Sequence, residues 1–177
     1  GDLARIGALI SGNDVHIETE GDIVNSGSIE ANKSLTLLAG NDLVNRGGIS
    51  GGEVYARANN DLRNLGGVIR GTGTNSSVEL LAGRDIVLQT TTQSTSNALG
   101  NSTRVNIDRV ATVQGGNVSL VAARDQIAQG ANVKATNGNL VANAGRDIQV
   151  TAIAGQYQIA MDNTTGSTTR GRGGFTH

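Results

Sequence analysis

The stretch GDIVNSGSIEANKSLTLLAG (Gly21–Gly40) is followed at once by NDLVNRGGISGGEVYARAN (Asn41–Asn59), and the second reads as an edited copy of the first. Each opens on an Asp followed by an aliphatic, sets an Asn three residues after the Asp, and closes on alternating aliphatic and polar positions. Related steps begin at Asp2, Asp22, Asp42, Asp61, Asp85, Asp125 and Asp147, with spacings of 20, 20, 19, 24, 40 and 22 residues. A recurring period of this size marks a repeat architecture in which one unit is too short to fold alone. The interval of 40 holds either two degenerate turns or one turn plus an insertion.

Within each period an aliphatic follows the Asp (Leu3, Ile23, Leu43, Leu62, Ile86, Ile148). In the early copies a Gly stands five residues after the Asp, and another aliphatic follows it at Leu9, Ile29, Ile49 or Val68. The end of the period alternates, as in Leu35/Leu37/Ala39, Val54/Ala56/Ala58 and Val118/Leu120/Ala122. A period of two describes strands with one buried face, and no comparable window keeps a helical period. Copies stacked coil on coil bury the aliphatics and pair the backbone between coils. The expected fold is therefore all-β, a parallel β-helix of about seven coils. Leucine-rich and ankyrin repeats need a helix per unit, and a propeller blade needs about twice this period.

Stacking aligns chemistry as well as shape. Asn25, Asn45 and Asn64 each lie three residues after an Asp, so a ladder of amides is expected along the rod. The Asp column is expected to face solvent and bond its own turn amides, because like charges one strand apart repel. Arg84, Arg124 and Arg146 precede the later Asp residues and are placed to relieve that repulsion, as exposed pairs of about 0–1 kcal/mol.

Composition narrows the function. The 177 residues include 26 Gly, no Pro, Cys or Trp, and 2% aromatics: Tyr55, Tyr157 and Phe175. The core must then be thin and aliphatic. A formal net charge of −1 with no basic block argues against a nucleic-acid partner. The lack of Cys excludes a disulfide framework, and no apolar run reaches membrane-spanning length.

AGNDLVNRGGI (Ala39–Ile49), NNDLRNLGGVI (Asn59–Ile69) and LLAGRDIVLQTTTQ (Leu80–Gln93) resemble the haemagglutinin repeats of filamentous haemagglutinin-type exoproteins, the two-partner-secreted adhesins and contact-dependent growth inhibition toxins of Gram-negative bacteria. NSTRVNIDRVATVQGG (Asn101–Gly116) resembles the junction between the regular and irregular repeat blocks of that family, and DNTTGSTTRGRGGFTH (Asp162–His177) resembles its Ser/Thr-rich stretches. The resemblance implies a right-handed helix, export through an outer-membrane partner transporter, and a secreted protein on the bacterial outer surface. It also implies contact with a host or target-cell receptor through other regions. The family's Asn-Pro-Asn secretion motif is missing, and no toxin module is recognisable, so both are expected outside this segment. Gly1 reads as in phase with the repeat, as in a piece of a longer shaft.

Activity, if the segment has any, is expected where the repeat breaks. Gln89–Gly116 reads as a hairpin leaving the coil, with a turn at NALGN, and is either a recognition element or a decorative loop. A second excursion after Ile148 leaves from the same corner, so Thr90–Ser94 and Val150–Gln156 are expected side by side. The resulting division is regular coils 1–88, excursion 89–116, coils 117–150, and excursion plus tail 151–177. Calcium is disfavoured, since one Asp per twenty residues cannot supply six to eight oxygens. No cofactor or metal is expected. A polysaccharide-processing enzyme would draw on Asp108 with Arg109 or on Arg124 with Asp125, but neither makes a convergent acid–base pair. His16 lies on a polar strand face and His177 at the last position. Five Asn-x-Ser/Thr sequons, at Asn32, Asn75, Asn101, Asn117 and Asn163, are unremarkable in a chain so rich in these residues. The reading is a non-catalytic shaft segment. The alternatives are a cell-surface or carbohydrate-binding module using 89–116 and, behind it, the polysaccharide-processing enzyme.

Overall fold

In a computed structural model, residues 3–96, 103–151 and 169–170 are described, and every regular element among them is a strand. The chain winds in coils. The first holds β1 (Leu3–Ile6) and β2 (Leu9–Thr19), and the second holds β3 (Asp22–Asn25) and β4 (Ser28–Ala39). The third holds β5 (Leu43–Asn45), β6 (Gly48–Gly51) and β7 (Glu53–Ala58), and the fourth β8 (Leu62–Leu65), β9 (Val68–Gly71) and β10 (Ser77–Ala82). The fifth runs through β11 (Ile86–Gln89), β12 (Thr91–Ser96), β13 (Thr103–Arg109), β14 (Thr112–Gly115) and β15 (Asn117–Ala122). The sixth holds β16 (Asp125–Gln129), β17 (Asn132–Ala135) and β18 (Leu140–Ala144), and the seventh opens with β19 (Asp147–Thr151). A short β20 (Thr169–Arg170) stacks on β19 with Thr169 opposite Ile148.

Three parallel faces result. The first is β1, β3, β5, β8, β11, β16, β19 and β20 in that order. The second runs from the starts of β2 and β4 through β6, β9, β14 and β17, and the third from their ends through β7, β10, β15 and β18. This is a parallel β-solenoid of about seven turns. With roughly 4.8 Å between strands, the stack is about 30 Å long.

The core is a set of columns, one inward residue per coil. Ile23, Leu43, Leu62, Ile86 and Ile148 line the first face, and Ile29, Ile49, Ile69, Val113 and Val133 the second. On the third face Leu35, Val54, Val78, Val118 and Leu140 stack, as do Leu37, Ala56, Leu80, Leu120 and Ala142. A further column, Ala39, Ala58, Ala82 and Ala122, stays small where the chain turns toward the first face. One position departs: Gln126 occupies the slot between Ile86 and Ile148. Its amide is satisfied there, donating to the carbonyls of Leu120 at 2.8 Å and Asn143 at 2.7 Å.

Register corrects three sequence-based expectations. In the first coil Leu3 lies opposite Asp22, so Ala4, not Leu3, fills the slot of Ile23. The slip puts Leu3 at 48% and Leu9 at 62% exposure, with Ile10 taking the inward place expected for Leu9. The first copy is thus one residue out of the phase that equal Asp spacing implied. In the fourth coil Ile69, not Val68, is buried, because the corner carries an extra residue at Gly66, whose φ is +67°. That left-handed backbone is one a glycine adopts without penalty.

The interval of 40 is a single coil with an insertion. β11 and β14 continue the first and second faces without a gap, and the inserted β12 and β13 pair antiparallel, Thr92 with Ile107 and Gln93 with Asn106. The solenoid path resumes at Thr112, so the departure is shorter than 89–116. The expected turn at NALGN lies outside the described residues. So does most of the second expected excursion: Val150 and Thr151 stack in β19 over Ala128 and Gln129, and the rest of Val150–Gln156 is not described.

Truncating a column should be felt through the coils on both sides. Leu37→Ala is expected to cost about 2–5 kcal/mol, read as a lower urea midpoint with an unchanged far-ultraviolet spectrum before the transition.

Candidate functional site

The residues that carry chemistry in this fold gather at its corners. Between the first and second faces, Asn25, Asn45 and Asn64 are fully buried, one above another. Asn25 Nδ2 donates to Asn45 Oδ1 at 2.9 Å, and Asn45 Nδ2 donates to Asn64 Oδ1 at 3.0 Å. Asn25 Oδ1 accepts from the Gly27 amide and Asn45 Oδ1 from the Gly47 amide, so each side chain also closes its own turn. The ladder is three rungs long because its slot is Ile6 in the first coil and Leu88 in the fifth. Its last donor, Asn64 Nδ2, goes to the carbonyls of Gly67 at 2.9 Å and Thr112 at 3.2 Å.

Between the third and first faces stands the Asp column, and here the expectation of solvent-facing Asx-turns is wrong. Asp61, Asp85 and Asp125 are 3%, 7% and 8% exposed. Asp22, Asp42, Asp61, Asp85 and Asp125 each take donors from the coil that follows, and Asp61 also accepts from Arg63 Nη2 of its own coil at 3.4 Å. Asp22 Oδ1 accepts from Asn41 Nδ2 and the Asp42 amide, and Asp42 Oδ1 from Asn60 Nδ2 and the Asp61 amide. Higher up, Arg replaces Asn as the donor. Arg84 Nε reaches Asp61 Oδ1 at 2.8 Å, Arg124 Nε reaches Asp85 Oδ1 at 2.9 Å, and Arg146 Nε reaches Asp125 Oδ1 at 3.0 Å. The Nη2 of each arginine bonds the second oxygen, and the next Asp amide completes the set.

This explains the AGND and AGRD phrases residue by residue. The Ala is inward, and the Asn or Arg caps the acid below. The Asp awaits the coil above. The Gly permits contact, since a Cβ on Gly40 or Gly83 would lie 2.0 Å from the carbonyl oxygen of Glu20 or Asn59. Repulsion along the column is relieved because a guanidinium or amide from each coil bonds the carboxylate below. The Arg84 hydrogen bonds hold Asp61 below the usual carboxylate range against the opposing effect of burial, and Arg146 does the same for Asp125. These are bidentate contacts to buried acids, a stronger arrangement than the exposed pairs anticipated.

Thr90 was not singled out by sequence, and it holds the insertion. It is 1% exposed; its Oγ1 donates to the Gly130 carbonyl at 2.8 Å and accepts from the Ala111 amide at 3.0 Å. One hydroxyl thus ties the exit and return of the hairpin to each other and to the next coil. The hairpin base also lies on Gly66, where an added Cβ would meet Thr91 and Arg109 side-chain atoms at 3.0 Å. No periodic signal marks Thr90, because its role depends on a contact 40 residues away.

Among the described residues, the remaining candidates lie at separate places on the coils. Asp108 is exposed on the hairpin and accepts from Thr91 Oγ1 and Gln93 Nε2, each at 3.3 Å. Arg124 and Asp125 are consecutive members of the corner column. His16 pairs with Glu18 at 3.2 Å on an outward face, both more than half exposed. His177, Asn101 and Asn163 lie outside the described residues. Among the described residues, no group of three or more His, Cys, Asp or Glu is placed to hold a metal ion.

Fold and corners together define a parallel β-solenoid repeat protein whose corner Asn, Asp and Arg side chains join one coil to the next. Neither family models nor curated proteins nor solved structures contain a match to this chain.

Two tests follow from the corners. Asn45→Ala strands Asn64 Oδ1 and the Gly47 amide in the interior and leaves Asn25 Nδ2 only its backbone acceptors at Gly48 and Gly27, and about 2–4 kcal/mol of stability is expected to go. Asn32→Ala, which removes an exposed bond to Asn13, is expected to stay within about 0.5 kcal/mol. Asp61 and Asp125 ionise more readily folded than unfolded, so their contribution is complete above the unfolded carboxylate range and is lost as pH falls through the lowered folded values. The urea midpoint should be flat from about pH 7 to about pH 5 and fall below about pH 4, and Asp61→Asn should make that fall shallower.

Proposed function

We propose that this chain is a shaft segment of a large secreted bacterial surface exoprotein of the filamentous haemagglutinin type, adhesin or contact-dependent growth inhibition toxin. It extends and presents adhesive or toxic modules carried elsewhere in the parent protein. It performs no catalysis, holds no cofactor and binds no nucleic acid. Its partners are the outer-membrane transporter of two-partner secretion during export and, through other regions, a receptor on a host or target cell. The observation that carries this reading is the direction of the Asp column: Asp22, Asp42, Asp61, Asp85 and Asp125 each accept from the amide of the following coil's Asp. A chain emerging N-terminus first presents each acid before its donors arrive, so every new coil docks on a waiting acceptor. Folding outside the cell then proceeds coil by coil and opposes backsliding.

The test uses the parent polypeptide. Leu37→Asp places a charge in a fully buried column, and surface display is expected to fall severalfold with shorter rods in electron micrographs. Display and rod length equal to the unsubstituted protein would sink the shaft reading.

A second reading has its own support. The hairpin of β12 and β13 is anchored through Thr90 and Gly66 rather than hanging from a loose loop, as a recognition element on the shaft would be. Because Thr90 and Ala111 already meet, residues 91–110 can be replaced by a short Gly linker with the coils left stacked. Loss of cell binding by that variant would favour a binding module, and unchanged binding would favour the plain shaft.

A further inference from the structure

The third face carries a trench of about 350 Å³ that crosses the third to sixth coils, lined by Glu53, Tyr55, Glu79, Asn117, Ser119 and Asn139 among others. Strand register puts Tyr55 beside Glu79, Glu79 beside Ser119, and Glu53 in line with Ser77 and Asn117. Four coils at roughly 4.8 Å give the trench a length of about 14 Å along the rod. A second hollow of about 560 Å³ at the adjoining corner shares Glu53 and is bordered by the loop Thr72–Ser76. That loop is pinned: Ser76 Oγ donates to the Gly73 carbonyl at 2.7 Å and accepts from the Gly116 amide at 2.9 Å.

The lining has a distinct chemistry. Tyr55 is the one aromatic among the described residues, and it stands half-buried on an outward face instead of in the core. Glu53 and Glu79 are exposed, and no hydrogen bond or ion pair among the described residues engages either carboxylate. No cation lines the trench itself, and Lys33 with Asp14 lines the adjoining hollow. Asn117 is pre-set, its Oδ1 accepting from the Asn139 amide at 3.1 Å. Two unpaired carboxylates repel sulfated, phosphorylated or uronate polymers. Over β7, β10 and β15, which are paired on both sides, an extended peptide finds no free backbone edge; among the described residues only β18, at the sixth-coil end of the trench, has a single paired neighbour. A ligand suited to this floor offers an apolar C–H face to the ring and many hydroxyl donors to the acids and amides, and is long and narrow.

We propose that this trench binds a linear neutral oligosaccharide, with Tyr55 stacked on one sugar ring and Glu53 and Glu79 accepting from its hydroxyls. The site does not depend on the shaft reading or on the hairpin. It uses the faces that coil stacking leaves outward, where side chains carry no role in the core.

The experiment titrates the full 177-residue chain with maltohexaose, cellohexaose and chitohexaose, and with a heparin hexasaccharide as the anionic comparison, following backbone amide resonances. At least one neutral hexamer is expected to shift Tyr55, Glu79 and Ser119. Tyr55→Ala should weaken that binding by about tenfold or more and Glu79→Gln by about threefold, with the urea midpoint of each variant unchanged. Arg70→Ala, on the second face, should leave it as it was. Three results would overturn the proposal: no shift from any neutral hexamer at about 10 mM, tighter binding of the heparin fragment than of all three, or affinity within about twofold in both trench variants. Glu79→Gln keeps the size and shape of the side chain, so it remains informative even if Tyr55→Ala fails to fold.

Discussion

Everything in this rod depends on register between stacked strands. A strand alternates its side chains with a period of two, so a coil displaced by one residue presents its polar face to the interior. Among the described residues there is no helix to brace the solenoid and no large aromatic to key its core, so register is set some other way. The core columns are built from Ile, Leu, Val and Ala of similar shape, and taken alone they tolerate sliding. The corners do not. A buried Asn that must meet another Asn, and a buried Asp that must meet both a side-chain donor and the amide of the next Asp, each accept one alignment. The cost of leaving a buried amide or carboxylate unpaired turns these short side chains into register marks.

The two sets of marks divide the work along the rod. The Asn ladder serves coils two to four and stops where the hairpin leaves the same corner. From there Thr90 ties the interrupted coil together, while the Asp column runs past the interruption on the opposite corner with arginine in place of asparagine. A coil of 40 residues is thus accommodated without a change in stacking, since the insertion departs from one corner and the alignment is held at another. Because core and corners absorb the demands of stacking, outward positions are released for other chemistry, and Tyr55, Glu53 and Glu79 occupy such positions.

How much of this was legible in the sequence depended on whether the information was local. The period, the alternation and the stack followed from residues within one coil, since burial of one strand face leaves its trace in every copy. The alignment of Asn25, Asn45 and Asn64 was legible because identical residues recur at one offset from Asp. The direction in which each Asp finds its donors was not, because a carboxylate reads the same whether it bonds its own turn or the next coil. Leu3, Leu9 and Val68 were misassigned for a related reason: spacing from Asp does not reveal a one-residue slip in the first coil or the extra corner residue at Gly66.

By itself the sequence determined that this chain is a stack of short parallel strands with a thin aliphatic interior, because a repeat of about twenty residues with period-two alternation has no other way to bury its apolar side. Beyond the alignment of Asn25, Asn45 and Asn64, the tertiary structure decided which residues oppose one another between coils. It made the doubled phrase at Gly21–Asn59 a pair of coils in which Asp22 is completed by Asn41 and Asp42, and it showed the 40-residue interval to be one coil carrying a hairpin. It also brought Tyr55 and Glu79 side by side from different coils. Such pairings arise between residues about twenty or more apart, and they are settled by the geometry of the corners, which no local pattern encodes.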